Sequence, residues 1–244
     1  WLDIHPSDCF QLNPSIQKIY YFNNSNILKD ILEANDPKLI YSNSTTRLVL
    51  DNAMFKNYLD RTIVHFHETY YDLYRCFNHD RAKLMRFIGQ AKSTFFVADK
   101  ILENFQLPKE IKKKCKVVPE FINPTRIENI LKTSKRNIKN KRIKIGMCGT
   151  VCHRKNPRLF TSLAKANPKY DFIWIGGDFP HTEANLSCIP VTKDPYKQLE
   201  KLDYFMLTSS RDPCPVVVLE SLLMNHKIIL LEGNIRYEHP IEKL

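Results

Sequence analysis

Short apolar runs alternate along most of this chain with segments of helical spacing, and that alternation restricts it to a small set of folds. The runs are Leu39–Ser42, Thr62–Phe66, Ser93–Ala98 and Lys116–Pro119 in the first half, then Ile143–Cys148, Tyr170–Gly177, Leu186–Val191, Tyr204–Leu207 and Ile228–Leu231 in the second. Most are rich in β-branched or aromatic residues, so they read as strands; Ile16–Phe22 is a further one. Helices are expected between them at Asn26–Ala34, Thr46–Asp60, Arg81–Gln90, Asp99–Phe105, Ile127–Leu131, Pro157–Ala166, Tyr196–Leu202 and Val216–Met224. Strands alternating with helices predict the α/β class with mainly parallel sheets. Ligands of such sheets bind at the carboxyl ends of the strands, which in the first half are Asn43–Thr46, His67–Thr69 and Ala98–Lys100.

At 244 residues the chain is long enough for one large or two small domains. With 43% hydrophobic and 11% aromatic residues it is not a disordered chain, and no apolar run approaches the ~20 residues of a membrane span. Its net charge of +11 suits an anionic partner. Much of the excess lies in Asn123–Arg142, with Lys132, Lys135, Arg136, Lys139, Lys141 and Arg142, and in Lys109–Lys116. Neither stretch interleaves aromatic residues with the basic ones, as stacking on bases requires, so nucleic acid is disfavoured. A solvated linker is the preferred reading of Asn123–Arg142, with peripheral contact to an anionic membrane second.

Seven scattered cysteines, an odd number in a chain this size, point to free thiols in a reducing compartment, hence a cytoplasmic protein. Trp1–Phe10 has neither the basic start nor the apolar core of a signal peptide. Without an initiator methionine, the chain reads as a fragment. Sequons at Asn23, Asn43 and Asn185 are attributed to chance in an Asn-rich sequence.

The most informative stretch is Leu202–Leu231, a strand, loop, helix and strand. Asp212 lies in the loop before the helix and Glu220 one to two turns into it, with seven residues between them. An acid thus stands on each side of a helix N-terminus whose free N–H groups favour an anionic phosphate. The pattern S-x-x-D-P-C-P-x-x-x-L-E-S resembles the E-x7-E signature of retaining glycosyltransferases of family 4, with Asp212 in place of the first Glu. The resemblance extends from about Lys38 to Leu231. LIYSNS and TIVHFHE are similar to strand ends of the family's N-terminal acceptor domain, and STFFVADKILENF followed by KVVPEFIN to its passage into the linker. KIGMCGTVCHRKN resembles the donor-phosphate loop, with Lys155 at the family's Lys but Thr150 and Asn156 in place of its Arg and second Gly. The Gly-rich first loop and last crossover helix of the family are not evident, so the chain looks short at both ends.

This resemblance implies a GT-B architecture: two Rossmann-like domains with a cleft between them. Residues 1–122 would be the acceptor-side domain, 123–142 a basic linker, and 143–244 the nucleotide-sugar domain. The implied reaction moves a hexosyl group from a UDP- or GDP-sugar to a hydroxyl of a glycan or lipid-linked acceptor, with retention of anomeric configuration. Asp212 and His67 would contact the transferred sugar, and Glu220 would hold the ribose. Lys155, Arg154, Gly149, Thr150, Gly177 and the helix start at Val217 and Val218 would surround the donor. His65, on the same strand face as His67, is the other candidate for the histidine position. No bound metal is implied. His65, His67 and Glu68 lack a further convincing ligand, and Cys148, Cys152 and His153 lack a fourth. The alternatives are an inactive GT-B-like binding or scaffold module and, behind it, a basic nucleic-acid-binding protein.

Overall fold

The structure, a computed structural model, describes residues 25–43, 55–122, 124–133 and 142–231. The expected strand at Ile16–Phe22 lies outside these residues. The described chain divides into two compact units, residues 25–120 and 121–231. Each is built on a parallel sheet, as the alternation of apolar runs and helices predicts.

In the first unit β1 (Ile40–Asn43), β2 (Thr62–Phe66), β3 (Ser93–Phe96) and β4 (Cys115–Val117) lie side by side in chain order, all parallel. β2 and β3 are central strands, and Val64, Phe66 and Phe96 are fully buried. Phe66 and Phe96 meet Phe105, which follows the helix Asp99–Asn104, with ring centroids 4.9–6.2 Å apart. Two helix starts are set by short polar side chains. Asp80 accepts from the Lys83 N–H at 2.9 Å ahead of Arg81–Gln90. Thr69 accepts from the Asp72 N–H ahead of Tyr70–Cys76, a helix that periodicity did not reveal.

Of the helix expected at Thr46–Asp60, the described part is a 3-10 helix, Phe55–Arg61. It runs without a linker into β2, and the Thr62 hydroxyl donates to the Tyr58 carbonyl at 2.6 Å. The tighter winding lets the chain enter the strand at once. The basic stretch Lys109–Lys116 forms a short helix and β4. Its Lys113 pairs with Glu110 at 2.9 Å and Lys114 donates to the Gly89 carbonyl at 2.9 Å.

The second unit has strand order β7-β6-β5-β8-β9, again all parallel, from β5 (Lys144–Cys148), β6 (Asp171–Ile175), β7 (Leu186–Ile189), β8 (Tyr204–Leu207) and β9 (Lys227–Leu230). The chain starts in the middle at β5, steps outward to β7, and crosses back to β8. Strand order therefore reverses between β5 and β8, and a ligand crevice is expected outside the carboxyl ends of those two strands. Trp174, fully buried on β6, meets Phe160 edge-on at 5.5 Å and donates from its indole N–H to the Gly149 carbonyl at 3.0 Å. That bond ties the end of β5 to the core. The helix Pro124–Thr133, from the stretch read as linker, packs on the helices Tyr196–Leu199 and Val216–Leu223 of this unit, and its Ile127 is buried. The side-chain amide of Asn185 donates to the carbonyls of Ala164, Asn167 and Tyr170, so this sequon asparagine is already committed to the fold.

Candidate functional site

Gly149 leaves β5 at φ +153°, in a region that side chains disfavour. A Cβ there would stand 3.2 Å from Cε of Lys155, so the bare glycine lets the lysine stem lie across the strand end. Thr150 follows, exposed. The turn His153–Lys155 is 3-10, and Asn156 closes it in the left-handed conformation at φ 57°. Its side chain then caps the helix Pro157–Ala166, accepting from the Leu159 N–H. The Asn at this position is thus the residue type, after glycine, best suited to the left-handed turn.

The loop after β8 is fastened to this turn. The Thr208 hydroxyl donates to the Lys155 carbonyl at 2.8 Å, and the Ser210 backbone N–H donates to the Arg154 carbonyl at 2.8 Å. Asp212 is delivered against both cations: Lys155 Nζ lies 2.5 Å and Arg154 Nη1 3.2 Å from its Oδ2. The side chains of Asp212 and Lys155 are only 11% and 12% exposed, whereas Arg154 is 42% exposed. Arg154 also donates to the Arg211 carbonyl.

Glu220, in the helix Val216–Leu223, is half-buried and accepts from the Tyr196 hydroxyl at 2.7 Å. Burial raises its pKa above the ordinary carboxylate value, and the Tyr196 hydrogen bond opposes that rise. Burial also pushes the Cys148 thiol up to about 12, with Glu220 adding to the rise and Lys155 opposing it. Cys148 is therefore a neutral, inert thiol. The helix N-terminus has Pro215 as its cap, no side-chain cap and no acid in its first turn. The Val218 N–H is taken by the Pro215 carbonyl at 2.8 Å and its side chain is buried, while Val217 is half-buried. Gly177, just past β6 at φ +151°, has a local reason to be glycine, since a Cβ would stand 2.8 Å from Val151.

In the first unit the two histidines of β2 separate cleanly. His65 is 5% exposed and satisfied on both nitrogens: Tyr41 O–H donates to Nδ1 at 2.6 Å and Nε2 donates to the Val118 carbonyl at 2.9 Å. His67 sits just past the strand end with its side chain 22% exposed. Its Nδ1 pairs with the Glu120 carboxylate and its Nε2 faces Asn43 Oδ1 at 2.6 Å. The two imidazoles are 4.3 Å apart. Burial, and then the neighbouring His67, lowers the His65 pKa below 6.5. A depressed base gives stability that is present above its unfolded pKa and lost as pH falls through that value toward the folded one. The first unit is accordingly expected to lose stability on acidification below pH 6.5, and His65→Gln to flatten that loss. Urea unfolding at stepped pH measures it, and an unchanged slope in the variant would remove His65 as the cause.

Glu120, Asn43 and Tyr196 are the partners that sequence reasoning missed. Glu120 is far from His67 in the chain and meets it because β4 ends beside β3, which lies beside β2. No spacing rule reports such a pairing. Cys148, Cys152 and His153 do not come together as a ligand set. Among the described residues the group with metal-ligating donors in reach of one another is Asp178, His181 and Cys188.

No protein-family model and no curated protein matches this sequence. Solved structures do match in fold. HepE from Anabaena, in complex with UDP and glucose, superposes with a TM-score of 0.62 at 14% identity, over 84% of this chain and 62% of its own. Sucrose-phosphate synthase from Thermosynechococcus elongatus gives 0.62 at 11% identity, over 84% and 59%. A trehalose-6-phosphate synthase studied for glycosyl transfer with retention gives 0.63 at 14% identity, over 90% and 67%. The chain is thus an α/β protein with two Rossmann-like parallel sheets, similar in fold to GT-B glycosyltransferases, and it spans about three fifths of the length of HepE and sucrose-phosphate synthase. Among the described residues no helix is long and apolar enough to cross a membrane.

Proposed function

We propose that this chain carries the donor site and much of the acceptor domain of a retaining, nucleotide-sugar-dependent glycosyltransferase of the family 4 type. The observation that carries the proposal is the meeting of Lys155, Arg154 and Asp212 outside the carboxyl ends of β5 and β8, with Glu220 in the helix that follows β8. Two cations at a strand-order reversal suit a diphosphate. Charge builds on that diphosphate as the sugar departs, so the cations act most in the transition state. The amide of Val217 at the helix start adds a neutral donor. Glu220 is assigned to the ribose hydroxyls and Asp212 to the sugar. In the other unit, His67, oriented by Glu120, is assigned to sugar contact. Gly149, Thr150 and Gly177 are assigned to the backbone lining of the donor. The HepE structure with UDP and glucose makes a UDP-sugar the first donor to try, ahead of a GDP-sugar. A glycan or lipid-linked hydroxyl is the proposed acceptor.

Lys155→Ala tests the phosphate role. The dissociation constant for UDP is expected to rise about 10- to 100-fold, the worth of one charge-assisted hydrogen bond. The constant for uridine is expected to stay roughly where it was. Equal effects on the two would remove Lys155 from the phosphate. A second reading, a module that binds nucleotide without turnover, is favoured by Asp212, which is one methylene shorter than the family's Glu and already held by Lys155. Release of UDP from UDP-glucose in the presence of acceptor separates the two readings.

A further inference from the structure

The loop joining β6 to β7 places an acid and an imidazole beside a thiol on β7. The donor atoms of Asp178, His181 and Cys188 all lie within 4.8 Å of one another. A tetrahedral zinc with bonds of about 2.0–2.3 Å sets its ligands roughly 3.3–3.8 Å apart, so a small contraction of these side chains closes a site. Three further observations support it. Nδ1 of His181 is buried and has no hydrogen-bond partner, the kind of orphaned polar atom that calls for a ligand. The ring is positioned by a chain of edge-on contacts, His181 on Phe179 at 5.9 Å and Phe179 on the fully buried Trp174 at 5.2 Å. An open pocket of about 430 Å³, lined by Asp178, Phe179, Pro180 and His181, leaves room for a water in the fourth position.

We infer that Asp178, His181 and Cys188 form a three-residue site for a thiolate-accepting divalent transition metal of the zinc class, which pins the β6–β7 loop to β7. The mixed oxygen, nitrogen and sulfur donor set selects against magnesium and calcium. Binding ejects the thiol proton of Cys188, and a water completes the tetrahedron. The role is structural. The metal holds the loop that begins at Gly177, whose N–H donates to the Ile189 carbonyl at the end of β7.

Titration of the 244-residue chain with cobalt(II), under a non-thiol reductant, tests the site without any nucleotide. One equivalent is expected to produce a near-ultraviolet sulfur-to-cobalt band together with the intense visible bands of a four-coordinate ion. Zinc is expected to abolish both by displacement, and magnesium to leave them. Cys188→Ser is expected to erase the ultraviolet band. His181→Ala is expected to weaken binding by about 100-fold or more, the upper end of what losing even an outer partner costs a metal site. Cys152→Ser is expected to change nothing, which guards against binding at the other thiols. No band at stoichiometric cobalt, or a band that survives in a folded Cys188→Ser protein, would overturn the site. Circular dichroism of each variant establishes that it is folded.

Discussion

Asp212→Asn is expected to destabilise the ligand-free second unit by about 3 kcal/mol, and saturating UDP is expected to recover most of that loss. The carboxylate is the shared partner of Lys155 and Arg154, and both it and the lysine are nearly buried. Removing it leaves an ammonium with little access to water and no counter-ion, which is the costly way to break a buried pair. A bound diphosphate brings the missing negative charge to the same cations. Ligand therefore stabilises the variant more than the native chain. Glycosyl transfer is expected to fall by about 100-fold or more, since the acid assigned to the sugar is gone. Scanning calorimetry with and without UDP, alongside a turnover assay, measures all three effects. A variant as stable as the native chain, gaining nothing extra from UDP, would show that the cations do not rest on Asp212.

Glu220 is expected to behave in the opposite way. Its folded pKa is raised by burial, so the ionised side chain costs stability. For a raised acid that cost is present above the folded pKa and relieved as pH falls through it. Glu220→Gln is therefore expected to be as stable as the native chain or more so at pH 7, although it keeps the size of the side chain. Nucleotide binding is expected to weaken by about 10- to 100-fold, because a carboxylate accepts from two ribose hydroxyls as charge-assisted bonds and an amide does not. The loss should be the same for uridine and UDP, since the ribose is common to both. That pattern differs from Lys155→Ala, where only the diphosphate suffers. A Glu220→Gln protein that binds uridine as tightly as the native chain would take the ribose away from this residue.

The two acids thus differ in energetic sign even though the sequence presents them as one motif. Their spacing, the helix between them and the strand before them were legible, because a short apolar run followed by Ser, Asp and Pro and then a continuous apolar stretch has few other solutions. The helix Val216–Leu223 and strand β8 formed close to where the apolar pattern put them. So did the helix Pro157–Ala166, whose start is written in Asn156-Pro157. What the sequence could not carry was contact across the fold. The Lys155–Asp212 pair joins residues on different strand ends of one sheet, and the His67–Glu120 pair depends on strand order. The choice between His65 and His67 turned on burial: one ring is sealed between Tyr41 and Val118, and the other is at the strand end. Helix Tyr70–Cys76 was missed because a single buried leucine, Leu73, carries its inner face and leaves little periodicity to read.

The central claim is a nucleoside-diphosphate site at the carboxyl ends of β5 and β8. Calorimetric titration of the chain with UDP, GDP, uridine and guanosine tests it most directly. The account predicts saturable binding of one diphosphate at one site per chain, tighter than its own nucleoside by about 10-fold or more, as two cations facing a diphosphate require. Failure of every diphosphate to bind, or binding of a nucleoside as tight as that of its diphosphate, would contradict it.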